Sequence, residues 1–223
     1  MIIAIDTATR LLSIALFDGT TILSEQTWVA GNQHNSLLSP SIAQTLEICG
    51  ISPKNITAVA VAHGPGSYTG LRIGVSFAKG MASARALPLV GVSTLDILAL
   101  GQPVNPKQTL IALLQAGKGR VIVGKYSAKK ARWHADQDPF ITDWETALTI
   151  DGATLVTGEI EAEAQALISA KIALGSPFMV ASPASRVRRA SLLAEEAHRR
   201  LLADKDGDFS PAKLFPIYVS SPV

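Results

Sequence analysis

Two stretches hold residue types that could handle an anion. The first is Asp6-Thr7-Ala8-Thr9, where an acidic residue closes an apolar run and hydroxyls follow in a turn. That pattern can form a phosphate loop, and it can equally satisfy its own turn backbone. The second is Gly64-Pro65-Gly66-Ser67-Tyr68-Thr69-Gly70-Leu71-Arg72-Ile73-Gly74, directly after the apolar run Ile56 to Ala62. A tight Gly/Pro turn opening a helix gathers several backbone N–H groups at one point, where an anion could sit. It is not a Walker A loop, because no Gly-Lys-Ser/Thr closes it. It is not a dinucleotide fingerprint either, because the next glycine after Gly64 and Gly66 is Gly70. The structural alternative is that Gly64 and Gly66 permit a sharp strand-to-helix turn and that Ser67 or Thr69 caps the helix.

The helix behind that turn is unusual. Gly70, Gly74, Ser76, Ala78, Gly80, Ala82, Ser83 and Ala84 leave it almost without bulk. Each interior glycine costs ~1 kcal/mol relative to alanine. Close approach of another element offsets such a cost. A phosphate clamp needs no small residues further along, so the pattern favours packing or association over anion binding.

Other chemistry has little support. His34, His63, His134 and His198 are scattered with no metal-ligand spacing, and Cys49 is the single cysteine. It lies on an apolar helical face, as a buried inert thiol would, and one cysteine excludes an intramolecular disulfide. Ser67 lacks the second glycine of a nucleophile elbow. Arg186, Arg188, Arg189, Arg199 and Arg200 crowd one late segment with Glu195 and Glu196. They form either the solvated face of an amphipathic helix or a contact for RNA phosphates. The net charge of +2 over 223 residues argues for neither nucleic acid nor membrane, and 48% hydrophobic residues suffice for a sizeable core. The apolar N-terminus breaks at Asp6 without a basic flank, so it reads as a strand and not a signal peptide. No apolar run reaches the ~20 residues of a membrane span.

These residues need positioning elements. Strands are expected at Ile2 to Ile5, Leu12 to Phe17 and Thr20 to Ala30, with Asp18-Gly19 as a hairpin signal. A helix follows with Leu38, Ile42, Thr45, Leu46 and Cys49 on one face and Gly50 as its stop. It starts either at Ser39-Pro40 or near His34 with a kink at Pro40. The strand Ile56 to Ala62, a helix to about Ala86, the strand Pro88 to Val92 and a short helix Thr94 to Leu100 complete the first half. Pro103 and Pro106 mark a linker. The second half reopens with strands Thr109 to Leu114, Arg120 to Ser127 and one around Arg132 and Trp133. Short strands at Thr154 to Thr157 and Phe178 to Ala181 sit among helices at Asp143 to Leu148, Ile160 to Ala170 and Ser185 to Ala203. This repetition predicts a duplicated mixed-sheet α/β unit, with lobes at residues 1–102 and 107–223 and a C-terminal segment that packs back on the first lobe.

In this order the segments resemble the TsaB (YeaZ) family. The residues that carry the resemblance are Ile3 to Thr9, His34 with Leu37-Leu38-Ser39-Pro40, Val59 to Gly74, and Pro88 to Leu95, with Pro216-Ile217-Tyr218-Val219 near the end. Gln115-Ala116-Gly117-Lys118 departs from the Asp-Ala-Arg-Arg-like stretch usual there. The resemblance implies a two-lobed actin-like ATPase (ASKHA) fold. It also implies a non-catalytic, cytoplasmic scaffold subunit of the bacterial complex that forms N6-threonylcarbamoyladenosine (t6A) on tRNA. Its expected partners are a TsaD-like catalytic subunit, a TsaE-like ATPase, a second copy when the catalytic subunit is absent, and tRNA through the complex, with no membrane. No catalytic residue, metal or cofactor is expected, and a nucleotide at the subunit boundary is left open. The expected partner interface is Leu38, Ile42, Leu46, Arg72, Val75, Ala78, Lys79 and Ala82. Asp6, Thr7, Gly64, Gly66, Ser67 and Thr69 would be a vestigial phosphate loop. The alternative is an ATP-binding ATPase or kinase that uses the Asp6 and Gly64 to Gly70 loops.

Overall fold

A computed structural model describes residues 1–150 and 152–219 of the chain. They form two compact units, one of Met1–Ile97 with Arg189–Ile217, the other starting at Leu98 and running to Arg188. The contact boundary thus falls before the Pro103/Pro106 segment, and the late helix belongs to the first unit.

The first unit holds a five-stranded sheet in the order β3-β2-β1-β4-β5. Its strands are β1 (Ile2–Asp6), β2 (Leu11–Phe17), β3 (Ile22–Val29), β4 (Ala58–Gly64) and β5 (Leu89–Ser93). β1 pairs antiparallel with β2 and parallel with β4. Period-2 alternation divides the core between the two faces. Ile3, Ile5, Val59 and Val61 point to one face, which α1 (His34–Ile48) and α2 (Tyr68–Ser83) cover. Ala4, Ala15, Ala58, Ala60 and Ala62 line the other. These alanines let α6 (Ala190–Ala203) lie close, with its own Ala190, Ala194 and Ala197 turned inward.

α1 starts at His34 and runs through Pro40. The Ser39-Pro40 start is therefore excluded. Pro40 and Ser36 are both exposed, so the carbonyl that loses its partner at proline faces water. Ser67 caps α2, its hydroxyl accepting from the Gly70 amide at 3.3 Å.

The second unit repeats the plan. Its strands are β6 (Thr109–Gly117), β7 (Arg120–Lys129), β8 (Arg132–Ala135), β9 (Phe140–Asp143), β10 (Thr154–Gly158) and β11 (Phe178–Val180). The order is β11-β10-β6-β7-β8, with β9 paired to β7. Read from the other end, β8-β7-β6-β10-β11 matches β3-β2-β1-β4-β5 in order and in strand direction. The duplicated mixed-sheet α/β unit is therefore present. Helices α4 (Trp144–Ala147) and α5 (Ala162–Ala173) supply Ala147 and Ile168 to its core.

One strand was not anticipated and one expected helix is broken. β9 has too short an apolar signal, essentially Phe140 and Ile141, to be read from the sequence. The Ser185 to Ala203 helix is broken. Pro183–Arg186 is a 3-10 turn capped by the Ser182 hydroxyl, Arg189 is extended, and the α-helix starts only at Ala190. Arg186, Arg188 and Arg189 are therefore off the helix.

Candidate functional site: an α1–α2 groove beside a filled loop

The β1–β2 turn and the glycine loop fit into one another. The Thr7 hydroxyl donates to the Gly70 carbonyl at 2.7 Å, and the Ser67 amide donates to the Ala8 carbonyl at 2.7 Å. The Ala8 amide donates to Asp6 Oδ1 at 2.8 Å. Asp6 and Thr7 are buried. A Cβ on Gly66 would collide with the Ala8 carbonyl oxygen, one on Gly70 with the Thr7 carbonyl oxygen, and one on Gly74 with the Thr7 hydroxyl. The glycines thus serve close approach of α2 to the first turn. Thr69 lies exposed on the first turn of α2.

Gly64 has a different neighbour. The Ile217 amide donates to the His63 carbonyl at 2.7 Å, and a Cβ on Gly64 would collide with the Ile217 backbone. Lys79 Nζ donates to the Leu214 carbonyl at 2.9 Å and sits 4.5 Å from the Phe215 ring centroid. The segment Leu214–Ile217 is thereby strapped to α2 and the end of β4. His63 Nδ1 lies 3.3 Å from the Phe215 carbonyl, and burial pushes its pKa below the usual 6.5 despite that carbonyl and Asp96.

The expected interface residues need correction. Leu38, Ile42, Leu46, Val75, Ala78 and Ala82 all sit in the chain's own core, against β1, β2 and β4. Their helical spacing marks the inward stripe, of which Leu38 also reaches the base of the outer groove between the two helices. Lys79 is taken up by the strap. Arg72 alone of the eight stands out on the surface, its guanidinium 4.0 Å from the Tyr68 ring centroid.

What α1 and α2 do present is an open groove of about 550 Å³, with Leu38 at its base and Asn35, Ser39, Arg72, Ile73, Ser76 and Phe77 as walls. Ile73 and Phe77 are half-buried, packed on the core but reaching the surface. The sequence did carry a signal for this face. Arg72/Ser76 and Ile73/Phe77 are two i, i+4 pairs beside the core stripe.

Four of the five late arginines are paired within the chain, while Arg186 Nε and Nη1 are buried with no hydrogen-bond partner among the described residues. Arg188 is buried and pairs with Glu159 at 3.0 Å. Arg189 Nε donates to Glu25 at 2.8 Å. Arg199 and Arg200 both hold Glu196. Burial works against ionising Glu196, yet hydrogen bonds from these two guanidiniums bring its pKa down to about 2. Among the described residues no three His, Cys, Asp or Glu side chains gather into a metal site. None of their helices is long and apolar enough to cross a membrane.

A family model described as "TsaD: tRNA N6-adenosine threonylcarbamoyltransferase" matches residues 25–181, which include both helices and the glycine loop. The chain belongs to the TsaD family. Within that family the resemblance to TsaB holds. The chain is 33% identical over 147 residues to TsaB of Bacillus subtilis, covering 64% of this chain and 63% of that one. It is 35% identical over 138 residues to TsaB of Escherichia coli, covering 61% and 59%. The aligned part thus spans about three fifths of the length of the curated relatives it matches. YeaZ from Pseudomonas aeruginosa superposes with a TM-score of 0.75 at 21% identity, over 98% of this chain and 99% of that one. An activator of 2-hydroxyisocaproyl-CoA dehydratase from Clostridium difficile, solved with ADPNP, superposes with a TM-score of 0.54 at 10% identity over 92% of this chain and 96% of that one. These likenesses establish the two-lobed α/β fold of the actin-like ATPase type.

Proposed function

We propose that this chain is an accessory, non-catalytic subunit of the cytoplasmic machinery that forms t6A on tRNA, and that it supports a TsaD-like catalytic subunit through the outer groove of α1 and α2. The names of its relatives favour the pathway. The observation that carries the scaffold role is the use of the would-be phosphate loop. Asp6, Thr7, Gly66 and Gly70 are spent on packing the first turn against α2. A helix pair so anchored is a rigid platform, and its free face combines apolar Ile73 and Phe77 with polar Asn35, Ser39 and Ser76. That mixture suits a subunit that must be soluble alone and docked in a complex. The same groove can seat a second copy when the catalytic subunit is absent.

The test is genetic and chemical together. A cell depleted of the native gene should lose t6A from its tRNA nucleosides and regain it when this chain is supplied. Variants at Asp6 are expected to restore t6A wherever they fold. Calorimetry with ATP and magnesium should then give no heat that depends on Asp6. Turnover of ATP by the isolated chain, lost in Asp6→Asn, would instead establish the ATPase alternative.

A further inference from the structure

The second unit gathers buried polar atoms that have nothing to bond. Among the described residues, five buried side-chain nitrogen or oxygen atoms lack a hydrogen-bond partner, and four of the five belong to Gln102, Thr157 and Arg186. Buried polar atoms are nearly always paired, so such a grouping asks for a cause. Three segments bring it about. Val156 points into the core that α4 and α5 cover, so alternation turns Thr157 to the opposite face of β10. β11 runs parallel beside β10 with Val180 opposite Val156, and the 3-10 turn Pro183–Arg186 that follows packs against β10. Gln102, two residues beyond α3 (Thr94–Leu100), reaches that turn, its Nε2 donating to the Ser185 carbonyl at 2.6 Å. The Trp133 indole donates to the Gln102 carbonyl at 3.3 Å and fixes the backbone there.

The chemistry of these atoms is specific. Thr157 is 0% exposed and Gln102 5%. The bond to Ser185 uses the amide nitrogen of Gln102, so its unpaired end is Oε1, an acceptor only. Arg186 offers two N–H donors, Nε and Nη1. Burial alone pulls its pKa below the usual guanidinium value, with no carboxylate working against it. Glu159, two residues on from Thr157, is already held by the Arg188 guanidinium at 3.0 Å and by the Gln115 amide at 3.1 Å. A desolvated cation without an acid calls for an anion. Gln102 Oε1 calls for a donor on the same ligand, and the Thr157 hydroxyl serves either role. Carboxylate and sulfate bring acceptors only. Phosphate that keeps a P–OH brings both.

We propose that Arg186, Thr157 and Gln102 form a binding site in the second unit for a protonated phosphate, either the free ion or the terminal group of a monoester. Arg186 supplies charge and two donors, and Gln102 Oε1 accepts the P–OH. Arg186 is half-buried, so the group is reached from the surface. The site shares no residue with the α1–α2 groove or with the filled Asp6 and Gly66 loops. It therefore stands or falls apart from the scaffold role.

The experiment follows thermal unfolding of the full chain in dilute phosphate, sulfate or chloride at matched ionic strength, where general salt effects on burial are small. Arg186→Met and Thr157→Val are run beside wild type. Phosphate should raise the wild-type midpoint by at least about 2 °C over chloride, as a ligand of the folded form does. Sulfate has the charge but no proton and should give a clearly smaller shift. Both variants should lose the phosphate response. Thr157→Val should be at least as stable as wild type in chloride, because a buried hydroxyl without a partner is removed, so its lost response is not lost fold. Methyl phosphate separates the two sources. A monoester loses its last proton near a pKa of about 6, so its shift should be present at about pH 5.5 and gone at about pH 8, where the free ion still acts. A shift from inorganic phosphate alone assigns the site to the free ion. A sulfate shift equal to that of phosphate overturns the proposal, as does a phosphate shift that survives in Arg186→Met. No phosphate shift in wild type overturns it too, and leaves these atoms to water.

Discussion

The Thr7 hydroxyl and the Gly70 carbonyl, 63 residues apart, meet at 2.7 Å and are buried there. This contact ties the first turn of the chain to the first turn of α2, and Gly74 lies against the same hydroxyl one helical turn later. Gly70→Ala should therefore destabilise the chain by about 1–3 kcal/mol, because the obstacle is backbone oxygen and cannot swing aside. That loss outweighs the ~1 kcal/mol that alanine gains in helix propensity. Gly80→Ala is the control. Its Cβ would meet nothing within 4 Å, so it should stabilise by up to ~1 kcal/mol. Urea unfolding of the two variants beside wild type gives both signs in one series.

Ala78→Glu and Ala82→Glu should fail to fold and not merely fail to bind. Both positions are fully buried against the first sheet. An unpaired carboxylate there costs several kcal/mol, on the order of the whole stability of a domain. Circular dichroism and soluble yield decide this. A well-folded Ala82→Glu monomer would show that this stripe is exposed after all.

Acid should weaken the α6 anchor in a defined window. Glu196 has its pKa brought to about 2 from 4.5. The unfolded chain takes up the proton first, so the stabilisation is fully present above 4.5 and is lost as pH falls toward about 2. Its size is on the order of 2 kcal/mol, discounted for the exposure of Arg199. Glu196→Gln should flatten the pH dependence of unfolding across that interval. An unchanged slope would mean the two arginines do not hold the carboxylate in solution.

The C-terminal strap responds at higher pH. His63 is held below its usual 6.5 chiefly by burial. The unfolded form binds the proton more readily, so this contribution is full above 6.5 and declines as pH drops below it. Hydrogen exchange at the Ile217 amide, which donates to the His63 carbonyl, should quicken as pH is lowered through that range, after correction for intrinsic exchange. Lys79→Ala should quicken it at every pH by removing the bond to Leu214. Exchange that ignores both changes would show that the strap is held elsewhere.

Local signals in the sequence carried most of the fold, and long-range contacts decided the rest. Apolar runs and alternation gave the strands of both sheets apart from β9, and the Gly/Pro turn gave the start of α2, because those signals are local. Six of the eight residues expected at a partner face lie in the chain's own core, because α2 carries small residues on several sides. Spacing picks out Val75, Ala78 and Ala82 as a stripe without telling whether a partner or the chain's own sheet covers it. Gly70 and Gly74 are explained by Thr7, far away in sequence. The late arginines looked like one basic helix because nothing nearby announces that Glu159 and Glu25 neutralise Arg188 and Arg189.

The measurement closest to the central claim is the affinity of the full chain for a TsaD-like subunit from the same source, by calorimetry, for wild type, Phe77→Asp and Lys54→Asp. Phe77 is a wall of the α1–α2 groove, while Lys54 is an exposed residue of the 3-10 turn before β4. Phe77→Asp should fold and lose at least about tenfold in affinity, as a truncated interface anchor does, while Lys54→Asp should bind like wild type. Wild-type affinity in a folded Phe77→Asp chain would contradict the groove's role.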